Sequence, residues 1–129
     1  MSMDPIANAL THIKNSENAA KRQCTVAEGS KLLKEILRVM KENGYIQSVE
    51  WKEDRQGNHA TVALVGHINE CQVIKPRYAV KKDAFEQFEK KFLPARDIGI
   101  LIVSTPKGVV THKTAKLDGI GGRLLAYVY

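Results

Sequence analysis

Apolar residues recur with two different periods along residues 1–69. Two stretches have apolar residues three or four apart, which is typical of amphipathic helices, whereas two-residue alternation elsewhere is typical of strands. Asp4 and Ser30 are expected to cap the two helices, and Gly44 to end the second. The predicted elements are a helix that begins at 5 and fades near 18–20, a second helix over 31–43, and strands over 23–26, 45–51 and 59–65. The pattern therefore predicts α-β-α followed by a hairpin that turns around Gly57.

Residues 70–129 show a mainly β pattern. Asp83 is expected to cap a short helix that Pro94 ends, and its three phenylalanines at helical spacing are interpreted as core anchors rather than surfaces for stacking bases. The apolar pattern lapses at 66–69, so we predict domains over 1–67 and 68–129. Strands are predicted over 71–74, 98–103, 109–111 and 123–129, with an extended segment at 75–78 and a turn of helix at 112–116.

Charge strengthens the distinction between the two halves. The chain of 129 residues is 43% hydrophobic, enough for a packed core, and has a net charge of +6. Residues 1–69 hold 9 Lys and Arg against 8 Asp and Glu, whereas residues 70–129 hold 11 against 6. A basic balance favours a polyanionic partner, so phosphate contacts are expected mainly in the second half.

The second predicted helix carries a basic stripe. Leu33, Ile36, Leu37 and Met40 share one face, and Lys31, Lys34, Arg38 and Lys41 share the opposite face, flanked by Glu35 and Glu42. A solvated helix surface explains this pattern, and so does a nucleic-acid-binding face. Both interpretations stay open at the level of the sequence.

Catalytic chemistry finds little support. The four histidines are scattered without metal-ligand spacing, so no metal site or cofactor is predicted. Cys24 and Cys71 lack neighbours that would activate a thiol, and they are expected to be reduced core residues. No secretory signal or membrane span is apparent, which suggests a cytoplasmic protein. A small hydrolase is the weakest of the alternatives.

Two polar segments of the second half are candidates for binding. The predicted loop Ser104–Gly108 offers two hydroxyls, one cation and a glycine, which suit the wide minor groove of an RNA helix. The glycines of 119–122 allow backbone amides to approach a sugar-phosphate chain, or they form only a tight turn with positive φ. A strand follows them rather than a helix, which argues against a dinucleotide fingerprint.

Several ordered segments resemble the small-subunit ribosomal protein eight family. Residues 4–15 resemble the opening of that family, and residues 102–111 and 119–129 resemble its ending more strongly. Residues 74–78 and 93–97 are similar to the archaeal and eukaryotic branch. The resemblance covers essentially the whole chain. It implies an α+β fold of two small domains, an α-β-α-β-β domain and a mostly β domain with one helix.

The resemblance also implies a function and its residues. It implies a structural constituent of the small ribosomal subunit, not an enzyme, that binds the central domain of small-subunit rRNA early in assembly beside other ribosomal proteins. It allows repression of the protein's own messenger through a mimicking stem. The residues implied for RNA binding, with Arg77 added from the extended segment, are Lys14, Asn15, Ser104, Thr105, Lys107, Gly108, Gly121, Gly122 and Arg123.

Two departures from the family limit this transfer. Many bacterial relatives carry an acidic residue where this chain has Arg123, so a cationic donor replaces an acceptor. The short helix over 112–116 is often acid-rich in relatives and holds no acid here. A free-standing module that binds double-stranded nucleic acid is the main alternative, because it explains the charge equally well.

Overall fold

The computed structural model describes residues 5–27, 31–54, 57–95 and 98–129. The chain divides into two compact units, Met1–Asn69 and Glu70–Tyr129, hereafter unit 1 and unit 2. The predicted caps Asp4 and Ser30 lie outside the described residues. None of the described helices combines the length and the apolar character needed to cross a bilayer.

The described elements of unit 1 are α1 (Pro5–Asn18), β1 (Gln23–Ala27), α2 (Lys31–Glu42), β2 (Ile46–Asp54) and β3 (Gly57–Leu64). The three strands form an antiparallel sheet of order β1-β3-β2. The hairpin strands β2 and β3 pair along their lengths, and β1 adds to the other edge of β3, with Val26 opposite Ala60. The predicted element order of this half is confirmed.

Helix α2 shows how the apolar period determines packing in unit 1. Its apolar face is almost completely buried, and burial of each such side chain stabilises the unit by about 1.5–3 kcal/mol. The helix ends where Gly44 takes a left-handed conformation, with φ of 80°. The N–H of Tyr45 then donates to the Met40 carbonyl oxygen at 3.0 Å. The predicted C-terminal glycine is therefore confirmed.

The described elements of unit 2 are β4 (Cys71–Val73), β5 (Ala79–Val80), α3 (Phe85–Phe92), β6 (Ile100–Thr105), β7 (Gly108–Thr111), α4 (His112–Asp118) and β8 (Gly122–Val128). The strands form an antiparallel sheet of order β4-β8-β6-β7, and β5 also pairs with β8, so the terminal strand β8 lies in the middle of the sheet. The predicted turn at 112–116 is a helix of seven residues, so the described part of unit 2 holds two helices where the resemblance implied one.

The phenylalanines of α3 belong to the core of unit 2. Phe85 is buried at the centre of the apolar cluster. Phe88 and Phe92 pack at its margin, where their rings lie 5.5 Å from Tyr78 and Tyr127 respectively. Aromatic pairs at such distances add to the stability gained by burial. The interpretation of the phenylalanines as core anchors is confirmed.

Two local predictions in unit 2 were wrong. The N–H of Ala84 donates to the Lys81 carbonyl oxygen at 2.9 Å, and this backbone turn makes Ala84 the N-cap of α3, without a side-chain cap. Asp83 is therefore not the cap. Strand β6 begins at Ile100 rather than Ile98, which is 52% exposed and forms an isolated bridge with Ala95.

Candidate nucleic-acid interface

Four candidate residues form a tight hairpin rather than a loop. Strand β6 continues through Ser104 and Thr105, which corrects the prediction of a loop over 104–108, and Thr105 lies opposite Gly108 in β7. Pro106 and Lys107 alone form the exposed turn between the strands. The apolar residues of β6 are buried up to Val103, so the turn projects from a rigid base.

The Thr105 hydroxyl holds this turn together. It donates to the Gly108 carbonyl oxygen at 2.8 Å and accepts from the Lys107 N–H at 3.2 Å. A hydroxyl has one proton and two acceptor lone pairs, so these bonds leave one lone pair for another donor. Thr105 is therefore structural in the hairpin and still able to accept a hydrogen bond from a ribose hydroxyl.

The start of β8 lies beside this hairpin. Arg123 is opposite Ser104 in the pairing of β8 with β6. On the other edge of β8, Gly122 is opposite Val80 and Arg123 is opposite Ala79 in β5. The hairpin and the glycine segment, which are separated by a helix in the sequence, thus meet at one end of the sheet.

Close packing within unit 2 explains Gly121 and Gly122. A β-carbon on Gly122 would overlap the Ser104 carbonyl oxygen, and one on Gly121 would overlap the Val80 carbonyl oxygen. Neither glycine has positive φ, so a tight turn that needs positive φ at one of them is the wrong explanation. The left-handed residue is Gly119, with φ of 67°, which caps α4. Both glycines are needed because the neighbouring backbone is too near for a side chain.

Cations surround the meeting point of hairpin and glycines. The exposed Arg123 extends a guanidinium Nη1 to 3.5 Å from the Arg77 carbonyl oxygen, which brings Arg77 beside β8. Lys81 follows β5, and its Cα would lie 3.1 Å from a β-carbon on Gly121. We define the cationic edge as Arg77, Lys81, Ser104, Thr105, Lys107, Gly108, Gly121, Gly122 and Arg123.

Lys81 is a candidate that the sequence-based prediction missed. Its place at the cationic edge depends on β5, a strand of two residues that is too short to show a period. The pair Lys81-Lys82 next to the extended segment was the available signal. Both lysines are exposed.

Lys14 and Asn15 belong to unit 1, on helix α1. Their neighbours Ile13 and Ser16 are buried, whereas Asn15 is exposed and Lys14 half-buried. The cationic edge is confined to unit 2, so these two residues are not part of it. They form a polar strip on α1 whose exposed member is Asn15.

The basic stripe of α2 is partly neutralised within the helix. Arg38 forms ion pairs with Glu35 at 2.8 Å and Glu42 at 2.9 Å, and these hydrogen bonds raise the pKa of its guanidinium. The Lys34 ammonium lies 5.2 Å from the centroid of the Trp51 ring. These contacts favour the interpretation of the stripe as a solvated surface.

Nothing in the described parts of the chain suggests covalent or metal chemistry. Cys24 and Cys71 are buried, as predicted, and burial raises the pKa of the Cys24 thiol, which disfavours the reactive thiolate. Within residues 5–27, 31–54, 57–95 and 98–129, no group of three His, Cys, Asp or Glu residues is placed to hold a metal.

Comparison with known families agrees with a binding rather than a reacting surface. A family model described as Ribosomal protein S8 matches residues 4–129, and the match includes both units and every residue of the cationic edge.

Proposed function

The chain belongs to the ribosomal protein S8 family, and we propose that it binds the central domain of small-subunit rRNA through the cationic edge of unit 2. The family consists of structural proteins of the small ribosomal subunit that bind rRNA, and it is not a family of enzymes. The family leaves open which rRNA domain is bound and by which residues.

One observation carries the proposal. The hairpin turn with Lys107, the glycine segment and three further exposed cations meet at one end of a sheet whose strand β6 is buried. Most polar contacts in protein–nucleic acid complexes go to phosphates and sugars, from cations, hydroxyls and backbone amides. The cationic edge offers all three kinds of group on a rigid support, which limits the entropy lost on binding.

The groups of this edge suit a double-stranded RNA stem. The minor groove of an A-form helix is wide and shallow and displays ribose 2′-hydroxyls. Thr105 has a lone pair available for such a hydroxyl, and Ser104 lies one residue away at the base of the hairpin. Lys107 and Arg123 then face the phosphates on either side of the groove. Arg123 acts as a donor to phosphate, where an acidic relative would accept from a ribose or base.

A second contact is proposed for unit 1. Lys14 and Asn15 contact the sugar-phosphate backbone of a neighbouring RNA segment, with Asn15 as the exposed member of the pair. One lysine supplies little electrostatic free energy by itself. This contact therefore contributes less to affinity than the cationic edge does.

Wider roles follow from the same surface. Binding of the central domain supports assembly of the subunit, and the same surface also binds an mRNA stem that imitates the rRNA site, which represses translation. We place the protein on cytoplasmic ribosomes and in the archaeal and eukaryotic branch. The branch depends on residues 74–78 and 93–97, of which Arg96 and Asp97 lie outside the described residues.

Footprinting on a full small-subunit rRNA transcript tests the proposal. We expect protection of one stem in the central domain, and we expect that stem to compete far better than random duplexes of equal length. Lys107→Ala and Arg123→Ala should weaken the footprint, with Lys34→Ala as the matched control. Protection outside the central domain, or equal competition by random duplex, would exclude the proposed site and favour a non-specific module.

A further inference from the structure

A buried histidine of unit 2 lies between the hairpin and the glycine segment along the chain. His112 is 2% exposed and is the first residue of α4. Strand β7 of the hairpin ends immediately before it, and the glycine segment follows the end of α4. Helix α4 is thus the direct covalent connection between the hairpin and Gly121. The pairing of β6 with β8 aligns the two, and the placement of α4 constrains the chain segment that joins them.

Both ring nitrogens of His112 have partners on other elements. Nδ1 accepts from the N–H of Leu101 in β6 at 3.0 Å, and Nε2 lies 2.7 Å from Glu89 Oε1 on α3. Since Nδ1 accepts, the neutral ring carries its proton on Nε2 and donates it to Glu89. One side chain therefore fixes the start of α4 against both β6 and α3.

The bond to Leu101 replaces a missing strand contact. Pairing of β6 with β7 begins at Ile102, opposite Thr111, so β7 does not extend to Leu101. The N–H of Leu101 is buried and would lack an acceptor if His112 were absent. An unpaired buried N–H destabilises a fold by more than the bond itself stabilises it.

We propose that neutral His112 is a positioning residue for RNA recognition, which keeps the hairpin and the glycine segment at the spacing that the RNA requires. The inference rests on the proposed function of the cationic edge. His112 does not contact RNA, because it is buried. It acts by raising the fraction of molecules in which α4 is packed against β6 and α3. The apparent affinity for RNA scales with that fraction.

The charges around His112 predict the effect of acid. Burial lowers the pKa of His112 from its ordinary value of 6.5, Glu89 on α3 opposes this shift, and Lys116 and Lys113 on α4 add to it. Glu89 also accepts from Lys116 Nζ at 2.8 Å. Protonation places an N–H on Nδ1 opposite the Leu101 N–H and breaks that bond. The unfolded chain takes up this proton at higher pH than the folded chain does. The stability contributed by neutral His112 is therefore fully present above pH 6.5 and is lost as the pH falls below that value.

Two substitutions separate the acceptor from the volume of the ring. His112→Asn places Oδ1 where Nδ1 lies, so it accepts from Leu101 but does not titrate. His112→Leu fills the space without an acceptor. Affinity for a central-domain rRNA transcript is measured by filter binding at about pH 7.5 and about pH 5.5, on either side of the ordinary histidine pKa.

At the higher pH we expect His112→Leu to bind RNA roughly tenfold more weakly than wild type. This is the loss expected if only about a tenth of the molecules keep α4 packed against β6 and α3. His112→Asn should bind within about twofold of wild type and lack the loss of affinity on acidification that wild type shows. His12, His59 and His67 are unchanged between the two proteins, so the difference isolates His112.

The inference is overturned if folded His112→Leu binds like wild type, or if His112→Asn retains the full acid-dependent loss. If His112→Leu does not fold, the comparison of wild type with His112→Asn across pH decides alone. Lys107→Ala serves as the control for the proposed function. Normal RNA binding by Lys107→Ala would show that the proposed function of the cationic edge is wrong. Weak binding by Lys107→Ala together with normal binding by the His112 variants would reject only the positioning role of His112.

Discussion

The two units carry nearly equal numbers of cations but use them differently. Unit 1 has 9 Lys and Arg and unit 2 has 11, yet unit 1 also has 8 acidic residues against 6. In unit 1 the central cation of the α2 stripe, Arg38, is paired with two glutamates of its own helix. In unit 2, Arg123 reaches only a carbonyl oxygen among the described residues, and Lys107 projects from a turn. The number of cations therefore says less about binding than their partners do.

Backbone geometry is the second difference between the units. A helix such as α2 uses its own N–H and C=O groups internally and offers a ligand only its side chains. The hairpin of β6 and β7 instead exposes the backbone of Gly108, with Thr105 and Lys107 beside it, and Arg123 of β8 lies opposite Ser104 of the same hairpin. We propose on this ground that the cationic edge binds RNA through exposed backbone next to charge, and the following predictions test that proposal.

The largest effect is expected from Gly122→Ala. The new β-carbon would overlap the Ser104 carbonyl oxygen and lie 2.7 Å from Val103 Cγ1, and the backbone cannot yield as a flexible side chain could. We expect a loss of about 3 kcal/mol of unfolding free energy, the upper part of the range for overpacking. Thermal and urea unfolding measure it.

Gly44→Ala in unit 1 is the matched control. Gly44 has positive φ, and among the described residues no atom beyond its two chain neighbours lies within 4 Å of its ideal β-carbon, so only the left-handed backbone is penalised, by about 1 kcal/mol. Equal losses for the two variants would show that close packing does not explain Gly122. A Gly122→Ala protein with normal stability and poor RNA binding would show that the glycine is needed for contact with RNA instead.

The elements of unit 1 could be predicted because their signals are local. The period of α2 and the alternation of the β2–β3 hairpin require no knowledge of distant residues. In unit 2, β5 exists only because β8 pairs with it, and the role of Gly121 depends on the position of Val80 about forty residues away in the chain. Asp83 has a residue type that favours the N-cap position, but a backbone turn places Ala84 at that position instead.

The next largest effect is expected from substitution of Thr105, which stabilises the hairpin and is also proposed to bind RNA. Thr105→Val keeps the branched shape and removes both hydroxyl bonds. We expect stability to fall by about 1 kcal/mol and RNA binding by about 1–3 kcal/mol, the range for lost hydrogen bonds and for partners left unpaired. Thr105→Ser keeps the hydroxyl and should retain most of the affinity.

Unfolding midpoints and gel-shift titrations on an rRNA stem measure the two quantities separately. Loss of stability with unchanged affinity would make Thr105 purely structural. The sequence had predicted a binding hydroxyl in an exposed loop, and the structural half of its role was not visible because the bonds depend on the strand register of Gly108.

A smaller effect, on the salt dependence of RNA affinity, distinguishes cations of unit 2 that bind phosphate from cations of unit 1 that do not. Lys107→Ala and Arg123→Ala should each reduce the steepness of the log–log dependence of affinity on salt by about 0.7–0.9, the value for one phosphate contact in single strands and duplex DNA. Lys34→Ala and Arg38→Ala should leave the slope unchanged. The reverse pattern would move the electrostatic surface from the cationic edge to α2 and would remove the distinction between the units.

The candidate site was predicted in its components but not in its arrangement. The resemblance identified Lys107 and Arg123 because they lie in sequence motifs of the family, and such motifs compare the order of residues along the chain rather than their positions in space. That Arg77 and Lys81 border the same end of the sheet follows from pairing between strands that are distant in sequence. Lys81 was missed for that reason, and Lys81→Ala is a natural addition to the salt series.

The smallest effect is expected from Arg38→Ala, and it tests unit 1 directly. Exposed ion pairs three or four residues apart on a helix contribute about 0.3–0.5 kcal/mol each, because solvent screens them and side-chain entropy opposes them. Arg38 has two such partners, so we expect a stability loss of about 0.5–1 kcal/mol that shrinks in high salt. RNA affinity should not change, since the guanidinium is already occupied by Glu35 and Glu42. Arg38→Lys is the control, because it keeps the charge but loses the forked geometry. Weaker RNA binding by Arg38→Ala, restored by Arg38→Lys, would show that α2 contacts phosphate despite its internal ion pairs, and internal pairing would then no longer separate the two units.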